Sequence, residues 1–295
     1  MNIHVQPGKY IVAVSGGVDS MTLLHILHDY PGVRLTVAHF DHGIREDSGM
    51  DRALVQKTAD FYGLPFVYSL GRLGATASED QARSARYAFL HTVQNAAQAD
   101  AIITAHHKDD MLETAIINIL RGTGRRGLTS LRTTDRIHRP LLHLEKSAIA
   151  EYATKQGLKW REDSTNASPK YLRNHIRHKV LPQFGTDGKA AFHAVIADMR
   201  DFNKRLDIML GDYLRDYSDG NTLDRAMFIL LPHNVAVEVM AAWLRANDFR
   251  HFDKKMLERL VHAAKIHKVG RQISISSLLN LRIEPKNLAL VTGER

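Results

Sequence analysis

The chain opens on an apolar run, Tyr10-Ile11-Val12-Ala13-Val14, followed after six small or polar residues by the amphipathic stretch Met21–Leu27. That switch from a continuous apolar run to a 3.6-residue spacing predicts a buried strand over 10–14 feeding a helix over 18–29. The alternation repeats. Strands are predicted at 33–39, 65–69 and 101–105, and helices at 47–62, 78–98 and 109–120, with Pro31-Gly32 and Gly63 as breaks. Alternating strands and helices predict an α/β domain whose parallel sheet is doubly wound. The segments 15–20, 39–42 and 104–113 each follow a strand, so they should converge beyond the carboxyl ends of the strands, where such sheets bind ligands. After Pro182 the pattern changes. Residues 183–189 read as a linker, and helical spacing resumes at 190–217, 234–247 and 253–267. Alternation at Ile273/Ile275, Leu281/Ile283 and Leu288/Leu290, with a turn at Pro285-Lys286-Asn287, predicts a small terminal β meander. The expected organisation is a first domain over 1–184 and a second, mainly helical domain over 190–295.

With 295 residues, 44% hydrophobic and 24% charged, the composition is that of a globular protein with room for two domains. No apolar run approaches a membrane span, and residues 1–7 carry neither a basic nor an apolar leader, which makes the cytoplasm the expected location and a membrane partner unexpected. The absence of cysteine excludes disulfides, thiolate zinc and iron–sulfur ligation by these residues. Forty basic against 32 acidic residues, a formal charge of +8, point to a polyanionic partner. The excess is local: Lys170–Pro182 contains no acid, and Arg121, Arg125, Arg126, Arg132, Arg136 and Arg139 crowd another stretch.

Between the first strand and helix lies Ser15-Gly16-Gly17-Val18-Asp19-Ser20. Two glycines at a strand-to-helix turn let backbone N–H groups approach a phosphate at the helix N-terminus, and the Ser15 and Ser20 hydroxyls can add hydrogen bonds. No lysine follows the glycines; instead Asp19 places a carboxylate there, which calls for a divalent cation such as Mg²⁺ between it and the phosphates. His39, Asp41 and His42 end the second strand, and two readings stand side by side: loop polar groups hydrogen-bonded beside the phosphate loop, or direct contact of His39 and Asp41 with nucleotide or substrate. In Thr104–Thr114, His106, Asp110 and Glu113 fall at i, i+4 and i+7 and share one face if the helix reaches back to His106.

Taken in order, Ser15–Ser20, Ala38–Arg45, Ala105–Thr114, Arg121–Leu128, Arg139-Pro140-Leu141-Leu142, Glu162–Asn166 and Arg173–Arg177 closely resemble the tRNA(Ile)-lysidine synthetases, within the PP-loop ATP pyrophosphatases, over roughly residues 8–182. The end at Arg295 resembles the family's shorter members. The resemblance implies a Rossmann-like PP-loop fold and a ligase that adenylates C2 of the wobble cytidine in the CAU anticodon of an isoleucine tRNA. The ε-amine of free L-lysine then displaces AMP. It implies ATP and Mg²⁺ held by Ser15, Gly16, Gly17, Val18, Asp19 and Ser20, with His39 and Asp41 beside them and Asp19 as the metal ligand. Catalytic positions by the same resemblance are Asp19, Arg83, His106, Asp110 and Glu113. It further implies tRNA contacts at Arg125, Arg126, Arg173, Asn174 and Arg177, and a homodimer. Met111 departs from the polar residue usual there. The competing readings are another PP-loop tRNA-modifying or amidotransferase enzyme, and a non-catalytic tRNA-binding module.

Overall fold

The structure is a computed structural model, described here for residues 1–43, 48–71, 73–74, 77–162 and 172–293. Ile44, Arg45, the Asp163–Asn166 part of one motif, and Lys170 and Tyr171 at the head of the acid-free basic stretch lie outside the described residues. The chain forms two compact units, Met1–Gly122 with Gly127–Ala194, and Thr123–Arg126 with Val195–Arg295.

In the first unit the order is β1 (Gly8–Ala13), α1 (Val18–Leu27), β2 (Val33–Asp41), α2 (Ser48–Phe61), β3 (Phe66–Leu70), α3 (Glu79–Ala97), β4 (Ala101–Ile103) and α4 (Lys108–Leu120). A single turn, α5 (Arg125–Leu128), precedes β5 (Ile137–His138), α6 (Lys146–Lys155) and α7 (Leu172–His175). The five strands pair in parallel in the order β3-β2-β1-β4-β5. Strand alternation splits β1 between two cores. Tyr10 and Val12 pack with Leu23, Leu24, Leu27, Val55 and Ile149, whereas Ile11 packs with Ala38, Leu90, Val93 and Ile102. With both faces covered, the strand must be apolar at every position, which is why it reads as an unbroken run. Helix α3 starts on a capping box: the Gln81 amide donates to Ser78 Oγ (3.2 Å) and the Ser78 amide donates to Gln81 Oε1 (2.9 Å).

In the second unit α8 (Gly185–Tyr217) is followed by β6 (Ser218–Asp219), β7 (Thr222–Asp224), α9 (Arg225–Leu230), α10 (His233–Ala246), α11 (Lys254–Ile266), β8 (Gln272–Ser274), β9 (Leu279–Ile283) and β10 (Asn287–Thr292). The strands form an antiparallel sheet, β6-β7-β10-β9-β8. Its core holds Phe228, Trp243, Leu244, Leu260, Leu281 and Leu288, and the Trp243 indole donates to the Gly220 carbonyl at 3.1 Å.

The α/β class with a helical second region and a small β element is as the sequence implies. Three local features differ. The expected linker at 183–189 is helical: one 3₁₀ turn, Leu181–Phe184, runs into α8, and the division between units falls inside α8, between Ala194 and Val195. Gly185 at φ +60° turns the chain between the two helices, so glycine here marks a helix junction rather than a spacer. Second, β5, α6, α9 and the β6–β7 hairpin carry too few residues or too weak a period to be read from the sequence. Third, α4 begins at Lys108, so His106 precedes the helix. Among the described residues no helix is long and apolar enough to cross a membrane.

Candidate active site at the carboxyl ends of the strands

The loop after β1 is braced from within. Ser20 Oγ accepts from the Ser15 amide (3.1 Å), donates to the Gly17 carbonyl (3.0 Å) and lies 3.2 Å from Ser15 Oγ. Ser20 therefore shapes the loop, and the amides of the first turn of α1, which have no acceptor within the helix, face outward for an anion. Gly16 sits at φ +95°, a conformation that demands glycine, and a Cβ there would also crowd the Cβ of Asp51 at 3.3 Å. The Arg161 amide donates to the Gly16 carbonyl (3.0 Å) and the Arg161 side chain to Asp51 (2.7 Å), fixing the loop from the far side.

Asp19, on the first turn of α1, is 25% exposed, and its Oδ1 has no partner. Its Oδ2 lies 3.7 Å from His107 Nε2, which is 3.4 Å from Asp110. Burial pushes the Asp19 carboxyl up, Asp110 adding to it, while His107, Lys146 and Arg177 pull it down. The His107 backbone amide donates to Asp110 at 2.9 Å, closing the N-terminus of α4. Burial works against the charge on Asp110, yet His107, that amide and Arg177 together hold its carboxyl below the usual range. One turn on, Glu113 has no exposed surface and receives Arg177 through both oxygens, at 2.5 and 2.8 Å; Arg177 also reaches Asp110 at 3.2 Å. Arg177 lies in a widened π turn, Ile176–Val180, directly after α7, a geometry that recurs at functional sites. From α7, Arg173 reaches Glu79, Thr114 and Glu113.

The expected stripe is thus partly assembled. Asp110 and Glu113 share a face of α4, but His106 turns aside, its Nδ1 2.8 Å from Thr104 Oγ1, and His107 is the imidazole between Asp19 and Asp110. Burial, with Arg86, Arg139 and Arg83 nearby, pushes His106 down to about 3, so it is neutral. His39 and Asp41 turn inward. His39 Nδ1 lies 2.8 Å from the Val14 carbonyl, and Asp41 accepts from the Gly43 amide (2.9 Å) and Ser48 Oγ (3.0 Å), the internal one of their two readings. Met111 is buried on α4.

Of the five positions assigned to tRNA, Arg173 and Arg177 are committed to the carboxylates just described, and Asn174 is buried. Arg125, counted with the second unit, spends its donors there on Glu238 (3.1 Å), Asn203 (2.7 Å) and Asp207 (2.9 Å). Arg126 shares Asp207 but remains 44% exposed. Spacing alone could not show these acids, which come from helices far along the chain. Lys146, which acts on Asp19, and the Arg161–Asp51 tie had no signal in the sequence at all.

Among the described residues no group of three or more acidic or imidazole side chains is built to cage a metal. Mg²⁺ does not need one: it keeps water and phosphate ligands and takes one or two carboxylates, and the unpartnered oxygen of Asp19 beside an anion-binding loop meets that requirement.

A phosphate-binding loop at the first strand of a 3-2-1-4-5 parallel sheet, with a carboxylate in place of a lysine, defines a nucleotide-binding domain, and residues 2–184 match the PP-loop domain family. The chain belongs to that family. It is 39% identical over 197 residues to the tRNA(Ile)-lysidine synthase of Solibacter usitatus, covering 66% of this chain and 45% of that protein. Against the enzyme of the same name from Thermotoga maritima it is 39% identical over 189 residues, covering 60% and 46%. The match to that of Nitrosomonas europaea extends over 289 residues at 30% identity, covering 93% and 61%. The chain spans about half the length of the first two of these curated relatives. Among solved structures, the U34-tRNA thiolase NcsA from Methanococcus maripaludis shares the fold, with a TM-score of 0.56 at 16% identity over 67% of this chain and 73% of that one.

Proposed function

We propose that this chain ligates free L-lysine to C2 of the wobble cytidine in the CAU anticodon of an isoleucine tRNA, with ATP as the activating substrate, in the cytoplasm. The observation that carries this reading is the array Asp19–His107–Asp110, with Arg177 clamping Asp110 and Glu113, set against a phosphate loop that lacks lysine. The names of the curated relatives supply the acceptor.

The cytidine C2 oxygen attacks the α-phosphorus, the Pα–O–Pβ bond breaks and pyrophosphate leaves. The lysine ε-amine then attacks C2, the C2–O bond breaks, and AMP departs with the oxygen. The first-turn amides of α1, shaped by Ser15, Gly16, Gly17, Val18 and Ser20, hold phosphate; Asp19 would hold Mg²⁺, which supplies charge neutralisation for the leaving pyrophosphate. Asp110, the reachable carboxylate, accepts hydrogen bonds from the incoming amine. His107 stands where it can take the amine proton. Glu113 has no exposed surface and acts through Arg177, as a positioning residue. Arg83 serves the substrate phosphates, and His106, neutral, lines the same rim. Of the residues assigned to tRNA, Arg126 is the one whose exposure suits a backbone phosphate.

The fold alone would also suit sulfur transfer. No cysteine is present in the 295 residues to carry a persulfide, which favours the ligase.

The test incubates the protein with ATP, Mg²⁺, labelled lysine and the isoleucine tRNA bearing CAU, with the methionine CAU tRNA as control. Label entering the isoleucine tRNA alone is the expected result. ATP turnover without incorporation would overturn the acceptor, and absence of turnover would favour a binding module.

A further inference from the structure

A second cluster at the same sheet edge has the composition of an anion site. Arg139 follows β5, where Thr104 donates its amide to the His138 carbonyl at 3.0 Å, so it sits at the carboxyl end of the strands. Its residue is only 7% exposed. One Nη donates to the Arg132 carbonyl, and Nε has no partner. The Tyr87 hydroxyl, on α3, is close enough to act on the Arg139 guanidinium, yet neither that buried hydroxyl nor Nε has a well-formed hydrogen bond. The guanidiniums of Arg83 and Arg86 stand 4.9 and 5.4 Å from the centroid of the same Tyr87 ring.

This arrangement opposes what folding alone selects. Buried cations are normally paired with carboxylates, and a buried donor without an acceptor destabilises the fold. Among the described residues, neither Arg83 nor Arg139 forms an ion pair, and the acid that acts on Arg86, Glu79, is already held by Arg173. The cations act on one another instead. Burial and Arg83 hold both Arg86 and Arg139 below the usual arginine range, and burial, with the three guanidiniums adding to it, keeps His106 uncharged. A doubly or triply charged oxyanion between them would satisfy the orphaned Nε–H and O–H and remove the mutual repulsion.

We propose that Arg139 and the Tyr87 hydroxyl, with Arg83 and Arg86, form a second phosphate-binding subsite. The arginine-rich turn of α3 supplies half of it, and Arg139 with Tyr87 closes it. The ligand chemistry is a phosphate oxyanion, either the polyphosphate of the nucleotide or a backbone phosphate of the RNA. The inference rests on the proposed function only for the identity of these two sources.

The experiment titrates inorganic pyrophosphate and, separately, an RNA stem-loop carrying the CAU anticodon into the full chain and its Arg139→Met and Tyr87→Phe variants, by calorimetry at two salt concentrations. Melting temperatures without ligand are recorded alongside. Arg139→Met should weaken one probe by about tenfold, as expected for a charged hydrogen bond removed, with no fall in melting temperature. A weakening confined to pyrophosphate assigns the site to the nucleotide. A weakening confined to the stem-loop, with the logarithmic salt slope reduced by about 0.7 to 0.9, assigns it to the RNA backbone. Unchanged binding of both probes overturns the subsite, whether or not stability falls. Should Arg139→Met fail to fold, Tyr87→Phe removes only an oxygen without a partner, and an effect of about threefold or its absence decides in the same way. None of these readouts depends on lysine transfer, so a failure of the proposed ligase activity is seen separately.

Discussion

Arg177→Met isolates the clamp at the centre of the site. It removes the donors that reach both oxygens of Glu113, at 2.5 and 2.8 Å, and Asp110 at 3.2 Å. Glu113 has no exposed surface, so its charge would be left in the interior with only Arg173, at 3.5 Å, as partial compensation. Removing one member of a buried pair costs about 3–5 kcal/mol. Arg177 is itself 22% exposed and Arg173 remains, so the low end applies, about 3 kcal/mol. In a unit of this size that is a fall of roughly 6–12 °C in melting temperature. The double variant Glu113→Gln/Arg177→Met removes both charges and should regain about 2 kcal/mol relative to the sum of the single effects. Thermal unfolding of the four proteins at pH 7 supplies the cycle. A pH series adds the sign: in Arg177→Met the exposed cost is a buried carboxylate, whose folded pKa is raised further, so the deficit shrinks as pH falls and the carboxyl takes up a proton. An Arg177→Met protein within about 1 kcal/mol of the parent, or a strictly additive double variant, would show that Arg177 does not compensate a buried Glu113 charge.

Asp19→Asn should reduce ATP–pyrophosphate exchange by at least about a hundredfold, since charge stabilisation at the leaving group is lost, while the fold is retained or stabilised; undiminished exchange would remove Asp19 from the metal role. His106, held down at about 3 against an ordinary 6.5, remains neutral in the folded chain while the unfolded chain binds a proton below 6.5. Its contribution is therefore present above pH 6.5 and lost as pH falls toward 3, at up to about 1.4 kcal/mol per unit. His106→Asn should flatten the acid limb of stability by that amount, and an unaltered limb in thermal unfolding between pH 6 and 4 would contradict it. Arg125→Met should lower the melting temperature by taking the partner from Glu238 and Asn203 and leaving Asp207 to Arg126 alone, with the salt slope of tRNA binding unchanged. Arg126→Gln should do the reverse, leaving stability intact and reducing the slope by about 0.7 to 0.9 for each backbone phosphate that is no longer neutralised.

Local information was strong where one segment contains the whole reason for its structure. The loop at 15–20 comes close to that: strand, glycines and helix start are contiguous and φ +95° already favours glycine at 16, although Asp51 and Arg161 brace it from outside. The unbroken apolar run of β1 is another. Convergence at one sheet edge also followed from the alternation of elements, because residues 15–20 and 104–113 each come directly after a strand of a parallel sheet. The converse holds for groups whose meaning depends on distant partners. Arg125, Arg173 and Arg177 look identical in a basic stretch whether they face water or a carboxylate. Asp207 and Glu238, or Asp110 and Glu113, decide the matter, and they lie 60 to more than 100 residues away. His106 and His107 exchange places for the same reason, because the first residue of α4 depends on packing and on the His107 amide finding Asp110. The class of fold, the phosphate loop and the acidic helix start were readable from the residues alone, since backbone geometry and apolar periodicity are local properties. Which charges are paired, which are exposed and which are left without a partner came from the folded chain, because burial and Coulomb energy depend on distance in space and not along the chain.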